Sequence, residues 1–248
     1  MFTTGSASRH AQQMPRPKPP KARGAPSTSS PATGPSQRPA NPKLTHFISL
    51  PIGHHASLRA SMTGFTSALL QGAPAVAGLD RTIVIPARRL HLTLGVMSLD
   101  QPGSARANAP PPTLGAARAL LEALLPRVLQ MLHGQRLRVD LERMDVLQPE
   151  RGDASRAHVL FVGPVLGGED GRRLRSVCEM VRGEFIASGL MVDDHRPLKL
   201  HCTVLNTTYR KPRPRGARQP FSYADILQST AFRAIAATQG SGIGAPTA

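Results

Sequence analysis

Two short stretches, LHLTLG at residues 90–95 and LHCTV at residues 200–204, carry the same pattern in separate halves of the chain. Side chains alternate between the two faces of a β-strand. Alternation places His91 and Thr93 on one face of the first strand and the leucines on the other. The second stretch separates its histidine and threonine from its apolar residues in the same way. Each stretch therefore predicts a strand with an apolar, core-facing side and a histidine-threonine side.

The flanking patterns predict a similar series of elements in each half. The apolar spacing predicts strands at 44–52, 136–147, 157–165 and 198–205, a hairpin of 82–85 with 90–97, and helices at 57–71, 114–132 and 170–188. The middle helix should bury Leu120, Leu121, Leu124, Leu125, Val128 and Leu132, and Gly189 is a C-cap candidate for the last helix. This weak duplication predicts an α+β fold with two antiparallel sheets facing one another.

Composition divides the chain into a body and two tails. Residues 1–43 are rich in proline and serine, with seven Lys or Arg and no Asp or Glu. Such a segment buries too little apolar surface to offset its chain entropy, so we expect a disordered basic tail. Residues 44–237 form the predicted folded domain, and 238–248 a second disordered tail. The prolines of the first tail disfavour a mitochondrial targeting helix, so nucleus or cytosol is the expected location.

The net charge of +16 is unevenly distributed. Outside residues 1–43 and the loop 210–218, nineteen Lys or Arg nearly match fifteen Asp or Glu.

No apolar run reaches the roughly eighteen residues needed to cross a bilayer, so no membrane partner is expected. Two cysteines are too few for a disulfide framework and lack zinc-site spacing. The histidines at 46, 54 and 55 have no carboxylate or cysteine at ligand spacing, so neither a metal nor a cofactor is predicted.

The paired motif suits phosphodiester chemistry. Cleavage needs a base for the attacking hydroxyl or water and an acid for the leaving oxygen, and two imidazoles can supply both near neutral pH. We therefore predict His91 and His201 as the catalytic pair, with Thr93 and Thr203 binding phosphate oxygens. Lys199 lies on the same strand face as His201 and is a further phosphate-binding candidate, although a solvated strand residue fits its position equally well. Cys202 faces away, so a buried thiol is expected there.

Three segments resemble a known family: THFISLP at 45–51, HLTLGV at 91–96 and KLHCTVLNTTYRK at 199–211. They look like the A-kinase-anchor-protein-seven-type phosphoesterase domain of the two-histidine superfamily, a branch that includes the activating signal cointegrator complex subunit one. The resemblance implies a bilobal, LigT-like fold with a central cleft, and phosphate handling by the histidine and threonine of each motif. It also implies substrates such as RNA ends, cyclic phosphates and 2′-5′ linkages. Relatives continue past residues 226–236 with further strands, so a C-terminally incomplete domain is expected.

Two hypotheses follow for the function. The first is a metal-independent phosphodiesterase acting on a nucleotide or RNA terminus, built as a monomeric domain. The second is a non-catalytic module that binds a nucleotide or RNA end within a transcription-coactivator or repair complex. The loop 210–218 carries five Lys or Arg and could bind flanking phosphates, but its prolines favour the interpretation as an exposed, solvated loop.

Overall fold

The computed structural model describes residues 43–100 and 112–238. The two predicted tails lie outside these ranges, apart from one residue at each inner boundary. The described strands are β1 (His46–Pro51), β2 (His91–Met97), β3 (Leu141–Val146), β4 (Val159–Pro164) and β5 (Cys202–Asn206). The described helices are α1 (Ala56–Gln71), α2 (Leu114–Met131), α3 (Gly168–Ala187), α4 (Tyr223–Gln228) and α5 (Thr230–Thr238). The α+β class predicted from the sequence is confirmed.

All five strands belong to one antiparallel sheet in the order β1-β2-β5-β4-β3. The sequence predicted two sheets facing one another, and in the described residues this prediction is wrong. β5 lies at the centre of the sheet and joins the halves, because it pairs with β4 on one side and with β2 on the other, where Leu92 is opposite Cys202. Periodicity shows which face of a strand is buried, but it does not show which strand edges pair.

The predicted hairpin of 82–85 with 90–97 is also wrong. Residues 81–83 form a 3₁₀ turn instead, capped by the Asp80 carboxylate, which accepts a hydrogen bond from the Thr82 N–H. The chain then runs beside the end of β5, where Val84 bridges Leu205 and the Ile85 N–H donates to the Val204 carbonyl at 2.8 Å. The apolar run thus extends the pairing of β5 and makes no ladder with β2.

Helices cover one face of the sheet. Leu92, Leu94, Cys202 and Val204 point to this face and join one hydrophobic core with residues of α1, α2 and α3. α3 ends as predicted, since Gly189 adopts a positive φ of 73° and the Leu190 N–H donates to the Phe185 carbonyl.

α2 departs from its predicted burial. Leu124 is buried as expected, but Leu121 and Leu125 are 48% and 54% exposed. The helical period identified an apolar face that is wider than the surface the core covers. Among the described helices, none combines the length and apolar character needed to span a bilayer.

Candidate active site

The histidine and threonine of both motifs lie on the face of the sheet opposite the helices. Their neighbours Leu92 and Cys202 are 3% and 0% exposed on the core face. The histidine and threonine of each motif are partly exposed. Strand alternation alone therefore separates the polar side of each motif from the core.

The strand register brings the two motifs together across 110 residues of sequence. Leu92 is opposite Cys202 in an antiparallel pair. Continuing this register by one residue in each direction places His91 opposite Thr203 and Thr93 opposite His201. Residues directly opposite in such a pair have Cα atoms about 4.5–5.5 Å apart, and diagonal neighbours such as the two histidines about 7–8 Å. This spacing allows both rings to contact one phosphate group.

Each histidine ring is held by a backbone carbonyl two residues before it. His91 Nδ1 lies 2.7 Å from the Arg89 carbonyl oxygen, and His201 Nδ1 lies 2.8 Å from that of Lys199. A carbonyl oxygen only accepts hydrogen bonds, so Nδ1 carries the proton in both rings. The tautomer of each neutral ring is therefore fixed, and its Nε2 carries the lone pair. Each Nε2 is thus left to accept or donate a proton, as a base and an acid on one substrate require.

Two phenylalanines contact the histidines. The Phe47 ring stacks on His91 with centroids 5.3 Å apart, and the Phe161 ring meets His201 edge-on at 5.5 Å. Phe47 is 56% exposed, whereas Phe161 is 1% exposed and lies outside the main core. The sequence interpretation missed both residues. An aromatic residue at the non-core position of β4, between the buried Leu160 and Val162, was the signal that could have indicated the second.

Lys199 lies beside this aromatic contact. Its side chain is exposed, and its Nζ sits 4.8 Å from the centroid of the Phe161 ring, within cation–π range. The same ring touches His201, so the ammonium lies on the histidine face of β5. The carbonyl of Lys199 also orients His201, a backbone role that Arg89 has for His91.

The threonine hydroxyls are available for a ligand. Within residues 43–100 and 112–238, neither Thr93 nor Thr203 has a side-chain hydrogen bond to another group. Cys202, between the second histidine and threonine, points into the core, and burial raises the pKa of its thiol to about 11. It is therefore the buried thiol that the sequence predicted, because a protonated, enclosed sulfur is a poor nucleophile.

Arg210, in the basic loop after β5, proves to be structural. Its side chain is 8% exposed, and its guanidinium binds the Asp80 carboxylate and the Gly78 carbonyl. Burial raises the pKa of Asp80, but hydrogen bonds from Thr82 together with Arg210 outweigh this effect and lower it. The hypothesis that this arginine contacts RNA is therefore corrected. Lys211, Arg213, Arg215 and Arg218 of the same loop are exposed.

A third histidine, His158, contacts Thr207 directly after the C-terminal end of β5. His158 Nδ1 lies 2.8 Å from the Thr207 hydroxyl, and its Nε2 lies 2.8 Å from the Glu150 carboxylate. Hydrogen bonds from His158 and then from Arg156 lower the pKa of Glu150. The Thr207 side chain is buried, so this cluster anchors a loop at the end of β5.

The histidines at 46, 54 and 55 do not form a metal site. The rings of His54 and His55 are in contact at 4.0 Å, while His46 Nδ1 bonds the Thr45 hydroxyl at 2.9 Å. Across the part of the chain that the structure describes, no group of three His, Cys, Asp or Glu side chains converges as metal ligands would.

A cavity lies behind the site, on the core side of the sheet. It has a volume of about 530 Å³ and lies between α1 and residues 137–141. Leu92, which points away from the histidines, contributes to its wall, while the four motif residues do not. The strand geometry places the candidate chemistry on the other face, so we locate the site by the histidines and not by the cavity.

Two His-x-Thr strands paired edge to edge, with their histidines on one face, define a two-histidine phosphoesterase domain. A family model described as the AKAP7 2′5′ RNA ligase-like domain matches residues 44–235, and the chain belongs to that family. No curated protein sequence matches the chain.

Solved structures show a distant similarity. Escherichia coli LigT complexed with NADP⁺ is 16% identical, with 70% of this chain and 76% of that chain covered and a TM-score of 0.38. Its complex with 3′-AMP is 15% identical, with 71% and 79% covered and a TM-score of 0.37. A structure described as a phosphoesterase is 16% identical, with 70% and 77% covered and a TM-score of 0.37.

Proposed function

We propose that the domain is a metal-independent phosphodiesterase that acts on a nucleotide or RNA terminus with a 2′-5′ linkage or a cyclic phosphate. One observation carries the proposal: the pairing of Leu92 with Cys202, whose register brings together two histidines that make the same Nδ1 hydrogen bond to the backbone. Family membership supports the same substrate class, since the family is described as 2′5′ RNA ligase-like.

The proposed reaction uses the two Nε2 atoms in opposite protonation states. One neutral ring takes the proton of the attacking hydroxyl or water at Nε2, and that oxygen forms a bond to phosphorus. The other ring, protonated at Nε2, gives its proton to the leaving oxygen as its bond to phosphorus breaks. The carbonyls of Arg89 and Lys199 accept from Nδ1–H throughout, so neither ring needs to rotate.

The remaining groups bind the charged oxygens. Thr93 and Thr203 donate hydrogen bonds to the non-bridging oxygens, whose negative charge grows in the transition state. The Lys199 ammonium, held over the Phe161 ring, adds a positive charge on the same face. The two motifs are so alike in geometry that either histidine could serve as the base, and the choice depends on the direction in which the substrate binds.

The test is turnover by the purified full chain in excess EDTA. Three substrates are offered separately: 2′-5′ oligoadenylate, a nucleoside 2′,3′-cyclic phosphate and 3′-phosphorylated RNA, with products resolved by chromatography. We expect cleavage of at least one, loss of that cleavage in His201→Asn, and full activity in the control His195→Asn, whose side chain is 87% exposed. Binding without any turnover would contradict the proposal and favour a nucleotide-binding module.

A further inference from the structure

A stripe of exposed positive charge begins next to His91. We define the basic stripe as Arg81, Arg88, Arg89, Lys211, Arg213, Arg215 and Arg218, all of which are exposed. These residues come from segments 81–91 and 206–219, neither of which contains an Asp or Glu. The rest of the folded body is nearly balanced in charge, so this concentration is local.

The two segments lie side by side in the structure. The Ile85 N–H donates to the Val204 carbonyl at 2.8 Å, and the Lys211 N–H donates to the Thr82 hydroxyl at 3.0 Å. These contacts join cations that are about 130 residues apart in sequence into one surface at the end of β5.

The stripe is continuous with the candidate active site. Arg89 is the residue whose carbonyl orients the His91 ring, and Arg88 precedes it in the same 3₁₀ turn. The earlier residues of the same segment reach the loop that follows β5, where the Thr82 hydroxyl accepts a hydrogen bond from the Lys211 N–H. A strand of RNA with its end at the histidines could therefore run along the stripe.

The charges of the stripe are free to bind a ligand. In the described residues, none of its seven members forms a salt bridge. Asp80, which directly precedes Arg81, already binds the buried Arg210, and Glu150 already binds Arg156 and His158. The loop is also partly fixed, since Arg218 donates to the Thr208 hydroxyl at 2.9 Å.

We infer that the basic stripe binds the phosphate backbone of a single-stranded RNA, so that the substrate is an oligonucleotide and not a free mononucleotide. This inference rests on the proposed function for the placement of the RNA end. Six of the seven cations are arginines, whose planar guanidinium matches two phosphate oxygens at once. An extended polyanion is the ligand that can contact several such cations at once.

The test measures RNA binding apart from catalysis. A fluorescently labelled single-stranded RNA of roughly twelve nucleotides is titrated with the full chain at several salt concentrations. Binding is followed by fluorescence anisotropy. In Arg213→Gln/Arg215→Gln/Arg218→Gln we expect the slope of log K against log salt to flatten by roughly 0.7 for each lost phosphate contact. The control Arg136→Gln/Arg172→Gln/Arg175→Gln removes the same charge from exposed positions on and near α3, and its slope should match that of the wild type.

Three results would overturn the inference. Equal flattening in both triple variants would show a net-charge effect without a defined surface, and an unchanged slope in the stripe variant would show a solvated loop. If the stripe variant loses binding to an acidic peptide while its RNA binding stays intact, the stripe belongs to a protein partner and the inference is also overturned.

Catalysis separates this inference from the proposed function. In the stripe variant, cleavage of a dinucleotide should be unchanged, while KM for a long substrate should rise about tenfold with kcat retained. If the wild type cleaves nothing, the proposed function fails. The salt dependence of binding still shows whether the stripe binds RNA.

Discussion

Replacing the two histidines singly and together tests whether they act as one unit on one phosphate. Asparagine is the informative substitution, because its side-chain amide can still donate to the carbonyl of Arg89 or Lys199. It removes the Nε2 atom while keeping the hydrogen bond, which is worth about 1 kcal/mol. The variants His91→Asn, His201→Asn and the double variant should therefore fold like the wild type.

The register gives the expected magnitude. The two histidines lie diagonally across one strand pair, with Cα atoms about 7–8 Å apart, so both rings can reach one phosphate and should depend on one another. General acid or base catalysis contributes about 10²–10⁴ in rate, or about 2.7–5.4 kcal/mol for each single loss. Once one ring is gone the other cannot complete the reaction, so the double variant should lose little more than the worse single variant.

The assay is kcat/KM on whichever substrate the wild type cleaves, with thermal unfolding as the folding control. A double variant that loses the product of the two single effects, about 10⁴–10⁸, would show that the rings act independently. Retention of near wild-type activity by either single variant would exclude that ring from the chemistry. Either result would refute the reasoning from the strand register.

Three further outcomes concern the scaffold. Gly171→Ala should destabilise the fold by about 1–3 kcal/mol, because a Cβ there would lie 2.5 Å from a backbone carbonyl oxygen. The control Gly183→Ala lies in the same helix with open space around it and should stabilise the fold by about 0.5–1 kcal/mol. Urea unfolding measures both changes. Asp80→Asn should destabilise near neutral pH, because it leaves the charge of the buried Arg210 without its carboxylate. The folded-state pKa of this carboxyl is lowered, so its contribution to the free energy of unfolding is present above the unfolded pKa of about 3.9 and is lost as the pH falls through the folded value. Urea unfolding at pH 7 and pH 3 should therefore show a smaller stability difference between wild type and variant at the lower pH. A difference that stays constant would contradict the ion pair. Burial raises the pKa of the Cys178 thiol to about 12 and that of Cys202 to about 11. Both thiols should therefore resist a thiol reagent at pH 8 until the protein unfolds. Rapid labelling of the native protein, counted by mass spectrometry, would show that they are not enclosed.

The sequence alone determined the contents of each strand face. Alternation of side chains is a property of the extended backbone, so the polar side of LHLTLG and LHCTV and the burial of Cys202 followed without any knowledge of the fold. Helical periodicity likewise located α1 and α3, because it reflects backbone geometry over a few turns.

Only the tertiary structure decided which segments meet. The pairing of Leu92 with Cys202, the single sheet, and the position of residues 82–85 beside β5 depend on which edges the whole chain brings together. The same holds for Phe161 against His201 and for the burial of Arg210, which looks like its exposed neighbours in sequence. Strand pairing is fixed by the packing free energy of the entire core, and a local pattern contains only the part of that energy that its own residues supply.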